Sequence, residues 1–422
     1  MLNRSEFVRV AVAAAALGPV LLPTAASASS EHAGAHTLAI ASDPHYISPR
    51  LTDNGPAFTA VVSAGDGKVM LHSEDVLDAF VAQLLAERPE VLLITGDLTF
   101  NGARLSHEDL AAKLMALIDS GIRVVVLPGN HDIAYPYAAC FSGDSYTYVD
   151  SVSPAEFRTI WYRFGYQEAI LEDPFSLSYV YPLFDDTWLL LVDCNAAQDP
   201  GRLAPQTLSF CRDALAQASE QGVRVISASH QNLLQHCALF RDGFVMGACD
   251  DLRDLYRRFG VRLNLSGHIH VQHTAVQGTL FEAATSSLAV TPCQYTRVAL
   301  HADGLFEAQT VPVDVSTWAY KLGRTDADLL DFSAYADRFF DACTRVQPYD
   351  ELVAAGLTSN EAAATTQAIQ RMNRHYFAGR TDRINWDDPA LAAAFGKTSI
   401  EAYLQVVHAE DPCDHTSYSV MV

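Results

Sequence analysis

The chain has 422 residues, 49% of them hydrophobic and 18% charged, a balance that excludes wholesale disorder and suits about two domains. Its 28 basic and 50 acidic residues give a formal charge of −22, which argues against a nucleic-acid polymer or an anionic membrane surface as partner, because both select cationic surface. A small phosphate ester remains compatible, since metal ions can meet its charge locally.

Residues 1–28 read as an export signal. Arg4 and Arg9 flank a short basic start, the run from Val10 to Pro23 is apolar, and Ala26-Ser27-Ala28 has the small residues of a signal-peptidase site. The apolar run is short for a spanning helix, so no transmembrane anchor is expected after cleavage and the mature chain is expected to be secreted or in the cell envelope. Nothing in the sequence chooses an oligomeric state.

Residues 36–313 alternate short β-rich runs with amphipathic helical stretches, the pattern of a layered α/β domain. Strands are expected at Thr37–Ser42, Val91–Thr95, Arg123–Leu127, Leu177–Tyr181, Thr187–Val192, Val223–Ala228 and Arg262–Leu265. Helices are expected around Glu74–Glu87, Leu105–Ser120, Pro205–Gln221 and Asp250–Phe259. Beyond Leu265 the runs at Val271–Val276, Thr279–Ala284, Tyr295–Leu300 and Leu305–Val311 look like consecutive hairpin strands. Together they point to two stacked sheets with helices outside. From residue 316 to the end, apolar residues such as Leu329, Phe340, Ile369 and Met372 recur at helical spacing, which predicts a C-terminal helical domain over 316–422. Eight cysteines in an exported chain admit disulfides; Cys237 with Cys249 and Cys343 with Cys413 are the expected pairs, while Cys194 reads as a small buried hydrophobe.

Five short motifs fall at predicted strand ends: Asp43-Pro44-His45, Gly96-Asp97, Gly129-Asn130-His131-Asp132, His230 after Ser229, and Gly267-His268-Ile269-His270. Ligands of layered α/β sheets bind in the crevice beyond such ends. Asp, Asn and His form a mixed oxygen and nitrogen set suited to two divalent transition ions, with manganese, iron and zinc all acceptable. Asp97 can offer one oxygen to each ion, Asp43, His45 and His270 complete one shell, and Asn130, His230 and His268 the other. Pro44 is expected to hold Asp43 extended, and Gly96, Gly129 and Gly267 to let backbone approach the ions. A serine hydrolase assembled from Ser229 and His230 lacks the Gly-x-Ser-x-Gly elbow.

In these motifs the chain resembles the calcineurin-like metallophosphoesterases, over about residues 36–300. The resemblance implies a two-sheet sandwich flanked by helices, a dinuclear metal site, and water activated between the metals for attack on phosphorus. It implies that His131 protonates the leaving alkoxide and contacts the phosphate, with Asp132 placed to orient its imidazole. Phe100 stands where the purple acid phosphatases of that family carry a ligating tyrosine, so a purple ferric site is not expected. The stretches Ser42–Tyr46, Gly96–Gly102 and Leu265–His270 are most similar to exported cyclic-nucleotide-phosphodiesterase-like members with a C-terminal helical domain. The expected activity is therefore hydrolysis of a small phosphate diester such as a cyclic nucleotide. A phosphomonoesterase or nucleotidase is the alternative, and a non-catalytic metal-binding module a remoter one. Asn101 and Gln231, beside the motifs, are candidates for substrate contact or for support of the ligands. Tyr135, Tyr137, Phe141, Tyr146 and Tyr148 are either a wall for an aromatic leaving group or packing for their loop. His236 and His273 lie outside the motif spacing and read as surface or structural histidines.

Overall fold

The computed structural model describes residues 34–196, 199–238, 240–395 and 400–422; the expected export signal lies outside them. In chain order the strands are β1 (His36–Ala41), β2 (Val91–Ile94), β3 (Arg123–Val126), β4 (Ala139–Ser142), β5 (Ser145–Tyr148), β6 (Leu171–Glu172), β7 (Tyr179–Phe184), β8 (Thr187–Val192), β9 (Arg224–Ser229), β10 (Leu263–Ser266), β11 (His273–Gln277), β12 (Leu280–Ala284), β13 (Gln294–Leu300), β14 (Leu305–Pro312) and β15 (Ser417–Met421). The helices are α1 (Pro56–Ser63), α2 (Ser73–Glu87), α3 (Arg104–Asp119), α4 (Pro154–Ile160), α5 (Pro205–Gln221), α6 (Asp250–Phe259), α7 (Val315–Lys321), α8 (Ala327–Leu330), α9 (Phe332–Ala354), α10 (Ser359–Phe377), α11 (Pro389–Ala392) and α12 (Ile400–His408). None of them is long and apolar enough to cross a membrane.

Two sheets stack face to face, one of six strands in the order β15-β14-β13-β1-β2-β3, the other of seven in the order β11-β12-β10-β9-β8-β7-β6. Period-two patterning decides which residues meet. On β8, Leu189 and Leu191 enter the core between the sheets, while Trp188, Leu190 and Val192 face outward under Cys211 and Leu215 of α5 and Leu252 and Tyr256 of α6. On the other sheet, Phe80 and Leu84 of α2 and Leu110 and Leu114 of α3 cover the core. The result is helix, sheet, sheet, helix, as the sequence pattern implies.

Three expectations are corrected. The strands after Leu265 do not form one meander: β11 and β12 join the seven-stranded sheet, with β12 parallel to β10, and the chain then crosses to the other sheet for β13 and β14. The C-terminal region carries the helices α7 to α12, but the chain then returns, and β15 pairs antiparallel with β14 at the sheet edge. Its alternation, with Tyr418 and Val420 opposite Ala308 and Phe306, is a strand signal that the surrounding helical periodicity conceals. The expected disulfides are not formed. Cys237 packs in the core of the helical region while Cys249 lies under α5 and α6; Cys343 sits against Val62, and Cys413 on the Thr381 turn. Cys194 is buried, as its apolar context implies.

Candidate metal centre

The five motifs converge where the C-terminal ends of β1, β2, β3, β9 and β10 meet. At each exit the backbone turns sharply, and Asp43, His45, Asp97, His268 and His270 all adopt positive φ, between 44° and 69°. Asp and His tolerate this region better than most residues, yet each such position is strained and persists only where its surroundings hold it. Asp43 is thus not extended before Pro44. Its N–H donates to the Gly96 carbonyl at 3.1 Å and its Oδ2 accepts from His268 N at 3.0 Å and from Ser42 Oγ, bonds that outweigh the pre-proline preference. The glycines make room for ligand side chains: a Cβ at Gly129 would lie 2.1 Å from Asp97 Oδ1, and one at Gly267 2.6 Å from Asp43 Oδ2.

Backbone carbonyls fix the tautomers of two ligands, because a carbonyl only accepts. His230 Nδ1 donates to Thr95 O at 2.8 Å and His268 Nε2 to Gly243 O at 2.8 Å. That leaves the His230 Nε2 lone pair facing the His268 Nδ1 lone pair at 3.2 Å, with Asn130 Oδ1 at 3.0 Å and Asp97 Oδ1 at 3.3 Å. Four acceptors converge around one point. On the other side, His45 Nε2 lies 3.0 Å from His270 Nε2, 3.8 Å from Asp43 Oδ1 and 3.7 Å from Asp97 Oδ2. Asp43 Oδ1 is buried there without a hydrogen-bond partner. Asp97 therefore divides its two oxygens between the clusters, and the donor set fits two divalent cations, with Asp97 shared. Asp43, His45 and His270 would hold one ion with it, and Asn130, His230 and His268 the other.

Electrostatics follow the geometry. Burial opposes the charge of Asp97, but His230 and His131 facing it hold the carboxyl well below the usual range. Burial equally opposes a charged His230, yet Asp97 pushes its imidazole up to about 9. A proton there can serve only one of the acceptors around it at full strength. Burial pulls His131 down, with Asp97 resisting.

His131 takes a different place from that of the other histidines. Its N–H donates to Asp97 Oδ1 at 2.8 Å, its Nδ1 to Phe100 O at 2.9 Å, and Tyr135 stacks on its ring at 5.0 Å. Nε2 lies 3.9 Å from Asp97 Oδ2 on the partly open side. Asp132 does not orient this imidazole. Its carboxylate accepts from the N–H groups of Leu98, Thr99 and Gly129 and from Thr99 Oγ1, tying the Asp97 loop to the Asn130 loop. Burial and the nearby Asp97 charge push it up to about 7. The orienting partner is the Phe100 carbonyl, which no side-chain pattern advertises; the Phe100 ring packs edge-on to Phe58.

Asn101 is buried, and its amide nitrogen reaches the carbonyls of Tyr137 and Ala139 at 3.5 Å, so it braces the loop. Gln231 exchanges hydrogen bonds with Asn195 and likewise supports the site from behind. The aromatic run divides: Phe141 is buried on Phe58, Tyr135 lies against His131, and Tyr137, Tyr146 and Tyr148 are exposed, the last two on the β4–β5 hairpin.

The chain belongs to the calcineurin-like phosphoesterase family, whose profile matches residues 36–272. Residues 314–411 match a second profile, described as the C-terminal domain of cyclic nucleotide phosphodiesterase. Similar solved structures include a dimetal phosphatase from Danio rerio, at 13% identity and a TM-score of 0.48 over 66% of this chain and 96% of that one. Another is a purple acid phosphatase from yellow lupin seeds, at 14% identity and a TM-score of 0.45 over 66% and 52%. Among curated proteins none matches.

Proposed function

We propose that this chain is an exported, dinuclear-metal phosphodiesterase acting on small diesters, cyclic nucleotides foremost. The observation that carries the metal-dependent reading is the convergence of imidazole nitrogens and carboxylate and amide oxygens on two points that share Asp97. Bound divalent ions would supply positive charge to a phosphate and acidify water. The chain's own residues do the rest. Asp43 and Asp97 would set two carboxylates against two divalent cations, which would leave the pocket net positive inside an acidic protein. His131, its Nδ1 proton committed to the Phe100 carbonyl, presents Nε2 on the partly open side, where it would take up a proton from solvent before passing it to the leaving oxygen. Tyr135 fixes the plane of that ring.

Two points support a diester. The profile matched by residues 314–411 is described from cyclic nucleotide phosphodiesterase, and a monoanionic diester meets less repulsion than a dianionic monoester from a chain of charge −22. The test is an activity panel on metal-reconstituted protein: 3′,5′- and 2′,3′-cyclic nucleotides, nucleoside monophosphates, and aryl mono- and diesters. Diester kcat/KM above monoester kcat/KM is the expected result; the reverse order replaces the reading with a phosphomonoesterase. Export predicts that material recovered outside the cytoplasm begins at Ser29, as read by intact mass.

A further inference from the structure

The outer nitrogens of His230 and His268 bond to backbone carbonyls, and that of His131 does too. His270 differs. Its Nδ1 lies 3.3 Å from Asp66 Oδ2, while its Nε2 faces Asp43 Oδ1 at 3.3 Å and His45 Nε2 at 3.0 Å. Asp66 is in turn held by Lys68, whose Nζ donates to both carboxylate oxygens at 3.0 and 2.8 Å. Val69 N pins the same loop to Ala289 O at 2.7 Å.

From the opposite side the loop is pressed by the C-terminal helical region. Gly67 has φ 89°, and a Cβ there would lie 2.6 Å from Phe340 Cδ2 of α9. Cys343, one turn further along α9, approaches Val62 O. The helical region also reaches the ligand loop itself: Ile269 and Val271, on either side of His270, are buried in one cluster with Ile369, Met372 and Tyr376 of α10.

We propose that Asp66 is a positioning residue of the metal centre, fixing His270 with its proton on Nδ1 and its lone pair toward the ion shared by Asp43 and His45, and that α9 holds Asp66 in place through Phe340 and Gly67. A carboxylate behind a ligating imidazole sets its tautomer and raises its basicity, and losing such a partner weakens metal binding about 10- to 100-fold. The helical region thereby acquires a role at the site without touching substrate. The inference rests on the dinuclear reading above.

The experiment uses the full chain, stripped with chelator and titrated with Mn²⁺ or Zn²⁺ by calorimetry and chelator competition. The wild type is expected to bind two ions. Asp66→Ala is expected to weaken one of them about 10- to 100-fold and leave the other, and the melting temperature of the stripped protein, unchanged. Asp66→Glu is expected to recover much of the loss, and Phe340→Ala to weaken the same ion by a smaller factor. Two ions bound as tightly in Asp66→Ala as in the wild type would overturn the inference alone, as would equal weakening of both ions alongside a lower melting temperature. A wild type that binds no pair of ions would overturn the dinuclear reading, and this inference with it.

Discussion

Two sets of buried histidines lie close together in this molecule, and they have opposite fates. In the metal pocket, His230 and His268 spend their protons on carbonyls behind them and turn lone pairs toward each other, toward Asn130 and toward Asp97. Behind Asp132, His107 is fully buried and fully matched: Trp161 Nε1 donates to its Nδ1 at 3.1 Å, and its Nε2 donates to Asp132 O at 3.1 Å. His236 and His273 are intermediate. They meet Nδ1 to Nδ1 at 3.1 Å, with Glu282 and Glu410 each 3.4 Å from an outer nitrogen. Two facing lone pairs can share one proton, whereas four acceptors around a point call for a cation. The count of convergent acceptors, rather than the presence of histidine, separates ligand from structure.

The most severe way to break this contrast is Asp97→Asn. The amide keeps the shape but removes the charge both clusters share, and it sets N–H donors among acceptors. Both ions should be lost and turnover should fall by about 10⁴-fold or more, because the ions carry most of the chemistry. Metal analysis and phosphoester hydrolysis on the same sample check this; a variant that retained two ions and turnover would remove the basis for the shared carboxylate.

His131→Ala sharpens the contrast from the other side. His131 touches Asp97 only through its backbone N–H and a 3.9 Å approach of Nε2, so the side chain can go without dismantling either cluster. The expected outcome is two ions bound and kcat lower by about 10²–10⁴-fold, the size of a lost general acid. Poor leaving groups should suffer more than aryl ones, since an aryloxide leaves with little help. Loss of an ion in this variant would move His131 from proton donor to ligand.

Much of this site is legible in the sequence because each ligand sits immediately after a strand, where chain order and hydrophobic patterning fix its place. Asp43, Asp97 and His268 need no long-range information beyond the stacking of two sheets. Contacts made by backbone or across loops leave no such trace. Asp132 sits next to His131 in the chain, which is why it reads as its partner, yet the turn points its carboxylate at the amides of Leu98, Thr99 and Gly129. Asp66 stands far from His270 in sequence, in a loop with no motif, and long-range contacts bring it in: Val69 N bonds Ala289 O, and Gly67 packs on Phe340 of α9. The cysteine pairs fail for a related reason. Proximity along the chain says nothing about which hydrophobic cluster each thiol enters, and Cys237 and Cys249 enter different ones.

The smallest effect tests the matched histidines by pH. Burial, with a lesser contribution from the Arg104 charge, pulls His107 down to about 3; burial with the neighbouring His273 and His236 pulls His415, which stacks on His273 and whose Nδ1 accepts from Thr274 N at 3.2 Å, down to about 2. Both lie below the ordinary value of 6.5, so between pH 6.5 and the folded values the unfolded chain binds protons that the folded chain does not. Their contribution is thus complete above pH 6.5 and is lost as the pH falls toward 3. In chelator, so that ion release does not intervene, stability should decline on acidification. His107→Gln should flatten that decline by roughly 1.4 kcal/mol per pH unit, the slope of one proton, while lowering stability at pH 7 by about 1–2 kcal/mol through the mismatched Trp161 and Asp132 bonds. Parallel curves for the two proteins from pH 6.5 to 4 would mean that His107 takes up a proton in the folded state. The division between matched and ligand histidines would then fail at its clearest member.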